Sequence, residues 1–170
     1  MGGIGQVLTD WLCEKGARHI VLLGRSDIKP DQLNTLTEYS KAGVHIRYMS
    51  VDVTDYNALQ QVITSVQADG PPLRGIFHCA GVLDDGLLMN YDASRLEQVM
   101  SPKMTGAWHL HTLTLDLGMD LFVLFSSVAS AVGTAGQGGY AAANAGLDAL
   151  AAIRRAKGLP GISINWGPWA

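Results

Sequence analysis

The sequence predicts an α/β domain built on a doubly wound parallel sheet with helices on both faces. Two observations predict this fold class. Apolar runs of strand length alternate with segments of helical periodicity along the 170 residues, and such alternation joins parallel strands through right-handed crossovers. Hydrophobic residues make up 48% of the chain, which suffices for a core.

Each predicted strand is a short apolar run, and four of the five are rich in Val, Ile or Phe, which favour extended backbone. In chain order the strands are "HIVLLG" (19–24), "HIRYMSV" (45–51), "RGIFHCA" (74–80), "DLFVLFSS" (120–127) and "GISINWG" (161–167). Helices are predicted over 5–16, 31–43, 55–70, about 93–117 (one helix or two) and 144–157. Because ligands of such sheets bind beyond the carboxyl ends of the strands, the residues that close each strand are the first candidates for a site.

The overall composition excludes several classes of protein. The 12 basic and 15 acidic residues give a net charge of −3, which argues against a nucleic-acid partner. No apolar run approaches the roughly 18 residues of a membrane span. Cys13 and Cys79 are too few for a disulfide framework or a metal site, and we expect buried free thiols in a reducing, cytoplasmic compartment.

Candidate nucleotide contacts lie at the opening glycines and after two strands. "MGGIGQVL" places Gly2 and Gly3 before an amphipathic helix, whose positive end and N–H groups attract phosphate, although Gly-Gly also begins ordinary turns. Arg25 ends the strand "HIVLLG" and either suits the 2′-phosphate of NADP or is simply solvated. Asp52 follows "HIRYMSV" and either accepts from an adenine amino group or caps the next helix.

A candidate proton donor lies in "QGGYAAANAGLDAL", residues 137–150. Tyr140 and Asn144 are four residues apart, so they share one face of a helix. A tyrosine that donates a proton near neutral pH needs a nearby cation to stabilise its anion. This stretch contains no cation, and so the residues alone leave Tyr140 as either an acid or a core aromatic.

Several motifs occur together in the order of one known family. "GGIG", "HCAGVLDDGLL", "SPKMTGAWHLH", "FVLFSSVAS" and "GQGGYAAANAGLDALAAIRRAKGLPGISINWGPWA" strongly resemble ketoreductase domains of modular type I polyketide synthases, within the short-chain dehydrogenase/reductase superfamily. The resemblance covers essentially the whole chain. It implies a Rossmann-like fold and the reduction of a β-ketoacyl thioester to the β-hydroxyacyl thioester during polyketide chain elongation.

The resemblance also implies the catalytic residues. These ketoreductases carry Asn where most of the superfamily has a lysine after the tyrosine, and they place the lysine upstream in a Pro-Lys motif, here Lys103. Ser127, which ends "DLFVLFSS", matches the family's serine. Tyr140 is then the general acid, Ser127 orients the carbonyl, Lys103 stabilises the tyrosinate, and Asn144 holds a water or the lysine. Taken singly, Ser127 is equally well a helix-capping hydroxyl and Lys103 a solvated charge.

The cofactor that the resemblance implies is NADPH. Its expected contacts are Gly2, Gly3, Ile4, Arg25, Ser26, Asp52, Val53, Ala80, Gly81, Lys103, Tyr140, Gly167 and Pro168. The expected partners are an acyl carrier protein that presents a phosphopantetheine-bound β-ketoacyl substrate and the other synthase domains of the same polypeptide. No metal, nucleic acid or membrane is expected.

The family's glycine motif follows a first strand that is central in its sheet, whereas this chain begins inside the motif. We therefore expect residues 1–170 to be a partial catalytic ketoreductase domain, truncated at both ends and lacking that strand. The strands that would flank it, "HIVLLG" and "RGIFHCA", should either leave an open slot or collapse together.

The stereochemical class is predicted from a loop after the third strand. Leu83, Asp84 and Asp85 resemble the fingerprint of ketoreductases that form the D-hydroxyl (B-type), and Val132 stands where the opposite class has a tryptophan. We therefore expect these three residues to guide the substrate. Alternatively, the two aspartates only cap the next turn.

Two other functions remain open at this level. The chain is alternatively a non-catalytic truncated fragment or scaffold, or a free-standing short-chain reductase of a small metabolite. The four intact catalytic positions argue against the first, and the Asn-for-Lys exchange with "SPKMTGAWHLH" argues against the second. His78 is predicted to be structural, and Arg154 and Arg155 to lie on a solvated helix face.

Overall fold

The computed structural model describes residues 2–168 and contains the predicted alternation of helices and strands. In chain order the elements are α1 (Gly3–Glu14), β1 (His19–Gly24), α2 (Pro30–Lys41), β2 (His45–Ser50), α3 (Tyr56–Asp69), β3 (Gly75–His78), α4 (Ala93–Leu113), β4 (Leu121–Ser127), α5 (Ala129–Val132), α6 (Gly138–Ala156) and β5 (Ile162–Trp166). A short 3-10 turn at Leu88–Asn90 precedes α4. Within residues 2–168 no helix is long and apolar enough to cross a membrane.

Two helical features differ from the predicted elements. The short helix α5 was not predicted, because one turn of small residues carries no periodic signal. The last long helix begins at Gly138 rather than at Asn144, so that Tyr140 lies in its first turn. Glycine has a low helix propensity, and the Gly-Gly pair before Tyr140 conceals this start in the sequence.

The chain divides into two compact units, with the boundary along the sequence between Pro72 and Leu73. In the N-terminal unit, β1 and β2 pair in parallel along their whole length, from His19 opposite His45 to Gly24 opposite Ser50. Helix α2 packs against β2. Because the two strands end level with each other, the segments after them, which hold the predicted nucleotide contacts, begin at the same edge of this sheet.

In the C-terminal unit, β4 is the central strand of a parallel sheet with the order β3-β4-β5. Phe122 and Leu124 of β4 are fully buried, and α6 packs against both this strand and α4. The two helices approach closely at Gly146, where an added Cβ would collide with the side chain of Met104. This close approach is what brings residues of α4 next to residues of α6.

The strands therefore form a two-stranded and a three-stranded sheet. Within residues 2–168, β1 pairs only with β2, and β3 only with β4. The two strands that were expected to flank the missing one thus share no backbone pairing.

Arg154 corrects one expectation, because it is buried and only 1% exposed. Its Nε donates to the carbonyl oxygen of Pro160 at 2.6 Å, and Nη1 lies 2.9 Å from His111 Nδ1. The guanidinium also stacks over the ring of Phe122 at 3.8 Å. Arg155 is exposed, as predicted. The prediction was wrong for Arg154 because arginine is treated as a polar residue when the face of a helix is predicted from its sequence. Its long aliphatic chain can nevertheless be buried between packed elements while its guanidinium forms hydrogen bonds to carbonyl groups.

Candidate active site

Tyr140 and Asn144 lie on one face of α6 and are hydrogen-bonded to each other. Asn144 is completely buried, and its Nδ2 donates to the backbone carbonyl of Tyr140 at 2.8 Å. Its Oδ1 is also buried and has no hydrogen-bond partner within residues 2–168. A buried acceptor without a partner is costly, and it therefore marks a place where a water or another donor belongs.

Lys103 supplies the cation that the tyrosine segment lacks. It lies on α4, is only 4% exposed, and its Nζ is 5.4 Å from the centroid of the Tyr140 ring. The same Nζ donates to the carbonyl oxygen of Phe125 in β4 at 2.9 Å, which fixes the ammonium next to the strand that ends in Ser127. The structure thus brings together the predicted acid and the predicted cation, which are 37 residues apart in the sequence.

Burial dominates the electrostatics of Lys103. It lowers the lysine pKa to about 8, and the negative charge of Asp148, together with that of Cys79 where its thiol is ionised, opposes this change. Cys79, like Cys13, is half-buried rather than buried as predicted. Its partial burial raises the pKa of the Cys79 thiol to about 12, so near neutral pH this thiol carries no charge. Lys103 is therefore protonated at neutral pH but lies close to its titration point, as expected of a group that takes part in proton chemistry.

Ser127 closes β4, and its Oγ accepts a hydrogen bond from the backbone N–H of Ala129 at 3.2 Å. This hydrogen bond is the kind of contact expected if Ser127 were only a helix-capping hydroxyl. A hydroxyl that accepts in this way still has its own proton to donate. Ser127 can therefore both hold the turn after β4 and donate to a substrate oxygen.

The end of β3 provides the space for Lys103. A Cβ at Gly81 would lie 3.0 Å from Lys103 Cε, so glycine at this position lets the lysine pass close to the backbone. Ala80 precedes it, and His78 is buried with Nε2 3.0 Å from the carbonyl oxygen of Lys103. Burial lowers the pKa of His78 to about 4, and the neutral imidazole supports the lysine helix, as the structural role predicted for it requires.

The loop that carries Leu83, Asp84 and Asp85 is anchored to both neighbouring helical segments. Asp84 forms a bidentate ion pair with Arg95, whose Nε and Nη2 each donate a hydrogen bond to the carboxylate at 2.6 Å. Asp85 accepts from Gln137 Nε2 at 3.1 and 3.2 Å. Neither contact caps the short turn that follows, so that alternative is wrong.

Arg95 and Gln137 are residues that sequence reasoning missed. No fixed spacing links them to the aspartates, although Gln137 stands three residues before Tyr140 in the same segment. Through Gln137, the loop predicted to guide the substrate is connected directly to the helix that carries the predicted acid.

In the N-terminal unit, the predicted phosphate contacts surround the start of α1. Gly2 is the N-cap of this helix, and Gly3 and Ile4 begin its first turn. An added Cβ at Gly2 or Gly3 would meet nothing within 4 Å, so the helix end is open. An open helix N-terminus presents N–H groups and a partial positive charge to an anion.

The strand ends of the same unit hold the other predicted nucleotide contacts. Arg25 follows β1 and is exposed, and its positive charge is one of the causes that lower the pKa of Asp52. Ser26 is next in the chain and its carbonyl accepts from the hydroxyl of Tyr48. The backbone of the turn is therefore fixed at Ser26 while the charged end of Arg25 faces solvent.

Asp52 does not cap the following helix. Its Oδ1 accepts from the N–H and the hydroxyl of Thr54 at 2.9 and 2.8 Å, whereas Asp55 caps α3 by accepting from Ala58. The hydrogen bond from the Thr54 backbone is the main cause that lowers the pKa of Asp52, so it is ionised at neutral pH. Val53 lies within this turn. The favoured cap interpretation is thus wrong, and the carboxylate keeps a second oxygen for another donor.

In the C-terminal unit, Gly167 and Pro168 follow β5 and are exposed. Ser127 and Trp166 are register partners, and the N–H of Val128 donates to the carbonyl of Trp166 at 2.9 Å. The segment that contains Gly167 and Pro168 therefore begins level with the end of β4, where Ser127 lies.

Within each unit, the donor chemistry of these residues fits part of a nicotinamide cofactor. An open helix end and an exposed arginine suit phosphates, and a carboxylate suits an adenine or ribose donor. A buried ammonium beside a glycine at a strand end suits a ribose hydroxyl. Apart from Lys103, which lies within α4, each group lies just beyond the carboxyl end of a strand or at a helix N-terminus of its own unit.

Comparison with known families supports the same assignment. The model of the KR domain family matches residues 1–170. The chain belongs to this family. The resemblance seen in the sequence is thereby confirmed.

Curated proteins similar to this KR domain are large polyketide synthases. A type I polyketide synthase of phenolphthiocerol synthesis from Mycobacterium marinum is 42% identical over 170 residues, which cover 99% of the chain and 8% of that protein. Polyketide synthase GfsA from Streptomyces halstedii is 45% identical over 172 residues, covering 99% of the chain and 2% of that protein. The KR domain therefore spans less than a tenth of these relatives.

Solved structures confirm the predicted fold class. A-type ketoreductases from a modular polyketide synthase share 43% identity with a TM-score of 0.93, and the match covers 99% of this chain and 36% of that one. A ketoreductase from the first module of phoslactomycin biosynthesis in Streptomyces sp. HK803 shares 40% identity with a TM-score of 0.93, over 99% of this chain and 40% of that one. A short-chain dehydrogenase from Mycobacterium avium, 21% identical with a TM-score of 0.84 over 98% of this chain and 64% of its own, shows the shared Rossmann-like fold.

Proposed function

We propose that residues 1–170 are part of the catalytic ketoreductase domain of a cytoplasmic modular polyketide synthase. The domain reduces a β-ketoacyl thioester, presented on the phosphopantetheine of an acyl carrier protein, to the β-hydroxyacyl thioester with NADPH. The observation that carries the proposal is the buried Lys103, whose Nζ lies 5.4 Å from the Tyr140 ring in a helix where Asn144 takes the usual lysine position.

The reduction requires a proton donor and hydrogen-bond donors at the carbonyl oxygen. NADPH, when bound, supplies the hydride to the β-carbon. Tyr140 donates its hydroxyl proton to the oxygen as negative charge develops there. Ser127, whose proton is not used in its contact with Ala129, donates a hydrogen bond to the same oxygen and orients it. The positive charge of Lys103 stabilises the tyrosinate that remains.

Asn144 completes the proton path. Its buried Oδ1 has no partner within residues 2–168, and its Nδ2 is already engaged by the Tyr140 carbonyl. This oxygen can hold one water next to the lysine helix. Such a water returns a proton to the tyrosinate from solvent after each turnover.

The direct test is reduction by the full-length protein. NADPH oxidation is followed with a carrier-bound β-ketoacyl thioester, with the same acyl group on a free thioester, and with simple ketones. We expect the carrier-bound substrate to react with the highest kcat/KM. Turnover of simple ketones alone would favour a free-standing reductase, and no turnover with any of them would favour the non-catalytic alternative.

Arg25 provides a prediction about the cofactor. We expect Arg25→Ala to raise the Kd of NADPH about 10- to 150-fold, because a charge-assisted contact to a phosphate is worth roughly 1.5–3 kcal/mol. The Kd of NADH, which lacks the 2′-phosphate, should not change. Fluorescence titration measures both. Arg47→Ala is the matched control, since Arg47 is also exposed but pairs with Asp69 at 3.4 Å. Equal NADPH affinity in wild type and Arg25→Ala would remove Arg25 from the site.

The product configuration provides a second prediction. Structures of A-type and A1-type ketoreductases match this chain at 43% and 42% identity, so overall similarity to them does not support the D class. We base it on the loop with Asp85, which is anchored to Gln137 beside the tyrosine helix. We expect the D-hydroxy product, measured by chiral chromatography, and a lower stereochemical excess in Asp85→Ala. An L-hydroxy product from the wild type would show that this loop does not guide the substrate.

A further inference from the structure

Asp148 lies on the same face of α6 as Tyr140 and Asn144, because the three residues follow one another at intervals of four. Its carboxylate accepts hydrogen bonds from two other segments of the C-terminal unit. Ser130 Oγ in α5 donates to Oδ2 at 2.6 Å. On β5, the hydroxyl of Ser163 donates to Oδ1, and Asn165 Nδ2 lies 2.9 Å from Oδ2.

The partners of Asp148 are themselves connected to the end of β4. Asn165 Nδ2 lies 2.7 Å from Ser130 Oγ and 3.3 Å from the backbone carbonyl of Ser127. One carboxylate therefore joins the helix of Tyr140, the turn after Ser127 and the last strand. Each of the three segments carries or adjoins a residue of the proposed reaction.

Asp148 is ionised at neutral pH. Burial raises its pKa, but the hydrogen bonds from Ser130, Ser163 and Asn165 outweigh burial and hold the pKa below its usual value. Its negative charge also opposes the effect of burial on Lys103. The other titratable groups near Lys103 are His78 and Cys79, which are both neutral near pH 7, and Tyr140. Asp148 is thus the carboxylate whose charge favours protonated Lys103.

We propose, resting on the proposed function, that Asp148 is a positioning residue for the reduction. It clamps the Ser127 turn and β5 to the helix of Tyr140, so that both hydroxyls reach one carbonyl oxygen. It touches neither substrate nor cofactor and acts through Ser130, Asn165 and the charge on Lys103. The mutual placement of two donors is sensitive, since a displacement of about 1 Å can cost on the order of 100-fold in rate.

The test replaces Asp148 with asparagine in the full-length protein. The asparagine side chain has nearly the same shape as aspartate but carries no charge. Its NH2 group also replaces an acceptor oxygen by a donor, which cannot accept the hydrogen bond from Asn165 Nδ2. We expect kcat to fall about 10- to 100-fold while KM for the thioester and the Kd of NADPH change less than about threefold. Because Lys103 loses its counter-charge, the fall of kcat/KM at alkaline pH should move to lower pH.

Asp120→Asn is the matched control. Asp120 also forms a charge-assisted pair, with Arg74 at 2.7 Å, but it lies at the opposite end of β4 and is exposed. We expect its kinetics and pH profile to match the wild type. Ser130→Ala removes one clamp donor without removing charge. We expect a smaller fall in kcat there, with the alkaline limb unmoved.

Hydrogen exchange tests the clamp independently of activity. Backbone amides of 126–132 and 162–166 should exchange faster in Asp148→Asn than in wild type, and Asp120→Asn should not change them. Unchanged exchange would overturn the clamp whether or not the wild type reduces β-ketoacyl thioesters. An unchanged kcat and pH profile in an active protein would overturn the positioning role. If Asp148→Asn fails to fold, Ser130→Ala replaces it in the test. An unchanged kcat in Ser130→Ala would then overturn the positioning role. A wild type without β-ketoacyl reduction contradicts only the proposed function.

Discussion

Replacing Tyr140 with phenylalanine should lower kcat for β-ketoacyl reduction about 100- to 10,000-fold, the usual range for loss of a general acid. The substitution removes one hydroxyl and leaves the ring, so the contact with the Lys103 ammonium at 5.4 Å from the ring centroid is kept. The hydrogen bond from Asn144 is also kept, since it goes to the backbone carbonyl. The loss should therefore appear in kcat, with little change in fold.

The measurement is steady-state reduction with NADPH, accompanied by fluorescence titration of NADPH alone. We expect the Kd of NADPH to stay within about threefold of wild type, because the proton goes to the substrate oxygen. Tyr39→Phe is a matched control, since Tyr39 bonds to Asp10 and Gln6 in the N-terminal unit and full activity is expected. If Tyr140→Phe retained most of the wild-type rate, another group would have to be the acid.

The strands were predictable because their signal is local. Runs such as "FVLF" in β4 combine Val and Phe with burial, and all five predicted strands occur where the sequence placed them. Helix ends were less predictable, since the Gly-Gly pair before Tyr140 opposes helix formation locally and is overcome by packing of α6 on β4. Local propensity is a weak guide wherever tertiary contacts decide.

The site was predictable only in part. Tyr140 and Asn144 are related by helical spacing, but nothing local relates either of them to Lys103 on α4; the resemblance to ketoreductases supplied that link. The Asp148 clamp has no sequence signal, because its partners come from α5 and β5 and each is an ordinary polar residue. Side-chain contacts between distant segments require the structure.

Lys103→Met separates the effect of this lysine on catalysis from its effect on stability. We expect kcat for reduction to fall by about 100-fold or more, because the tyrosinate loses the buried ammonium that lies 5.4 Å from the centroid of its ring. In the wild type, reduction should weaken as the pH rises through about 8, where Lys103 loses its proton. In Lys103→Met this limb of the pH profile should be absent.

Stability should respond in the opposite way. A lysine whose pKa is about 8 in the fold and 10.5 when unfolded binds fewer protons in the native state across that range, so it makes the free energy of unfolding rise with pH between these values. Below pH 8 the buried ammonium costs roughly 3 kcal/mol. Methionine removes this cost but leaves the carbonyl of Phe125 without its donor, a loss of about 1–3 kcal/mol. We therefore expect Lys103→Met at pH 7 to be as stable as wild type or more stable, despite its lost activity.

Urea unfolding at pH 7 and pH 9.5, followed by tryptophan fluorescence, measures this difference. The advantage of Lys103→Met over wild type should be larger at pH 7 than at pH 9.5, because the ammonium is neutralised in the fold at the higher pH. Lys41→Met is the matched control: Lys41 is 67% exposed and pairs with Glu38, so its substitution should change stability little at either pH. A Lys103→Met variant clearly less stable than wild type at pH 7, with the same difference at pH 9.5, would mean that the ammonium is stabilised by its surroundings. A Lys103 pKa near 8 would then be wrong, and so would the predicted loss of reduction activity above that pH.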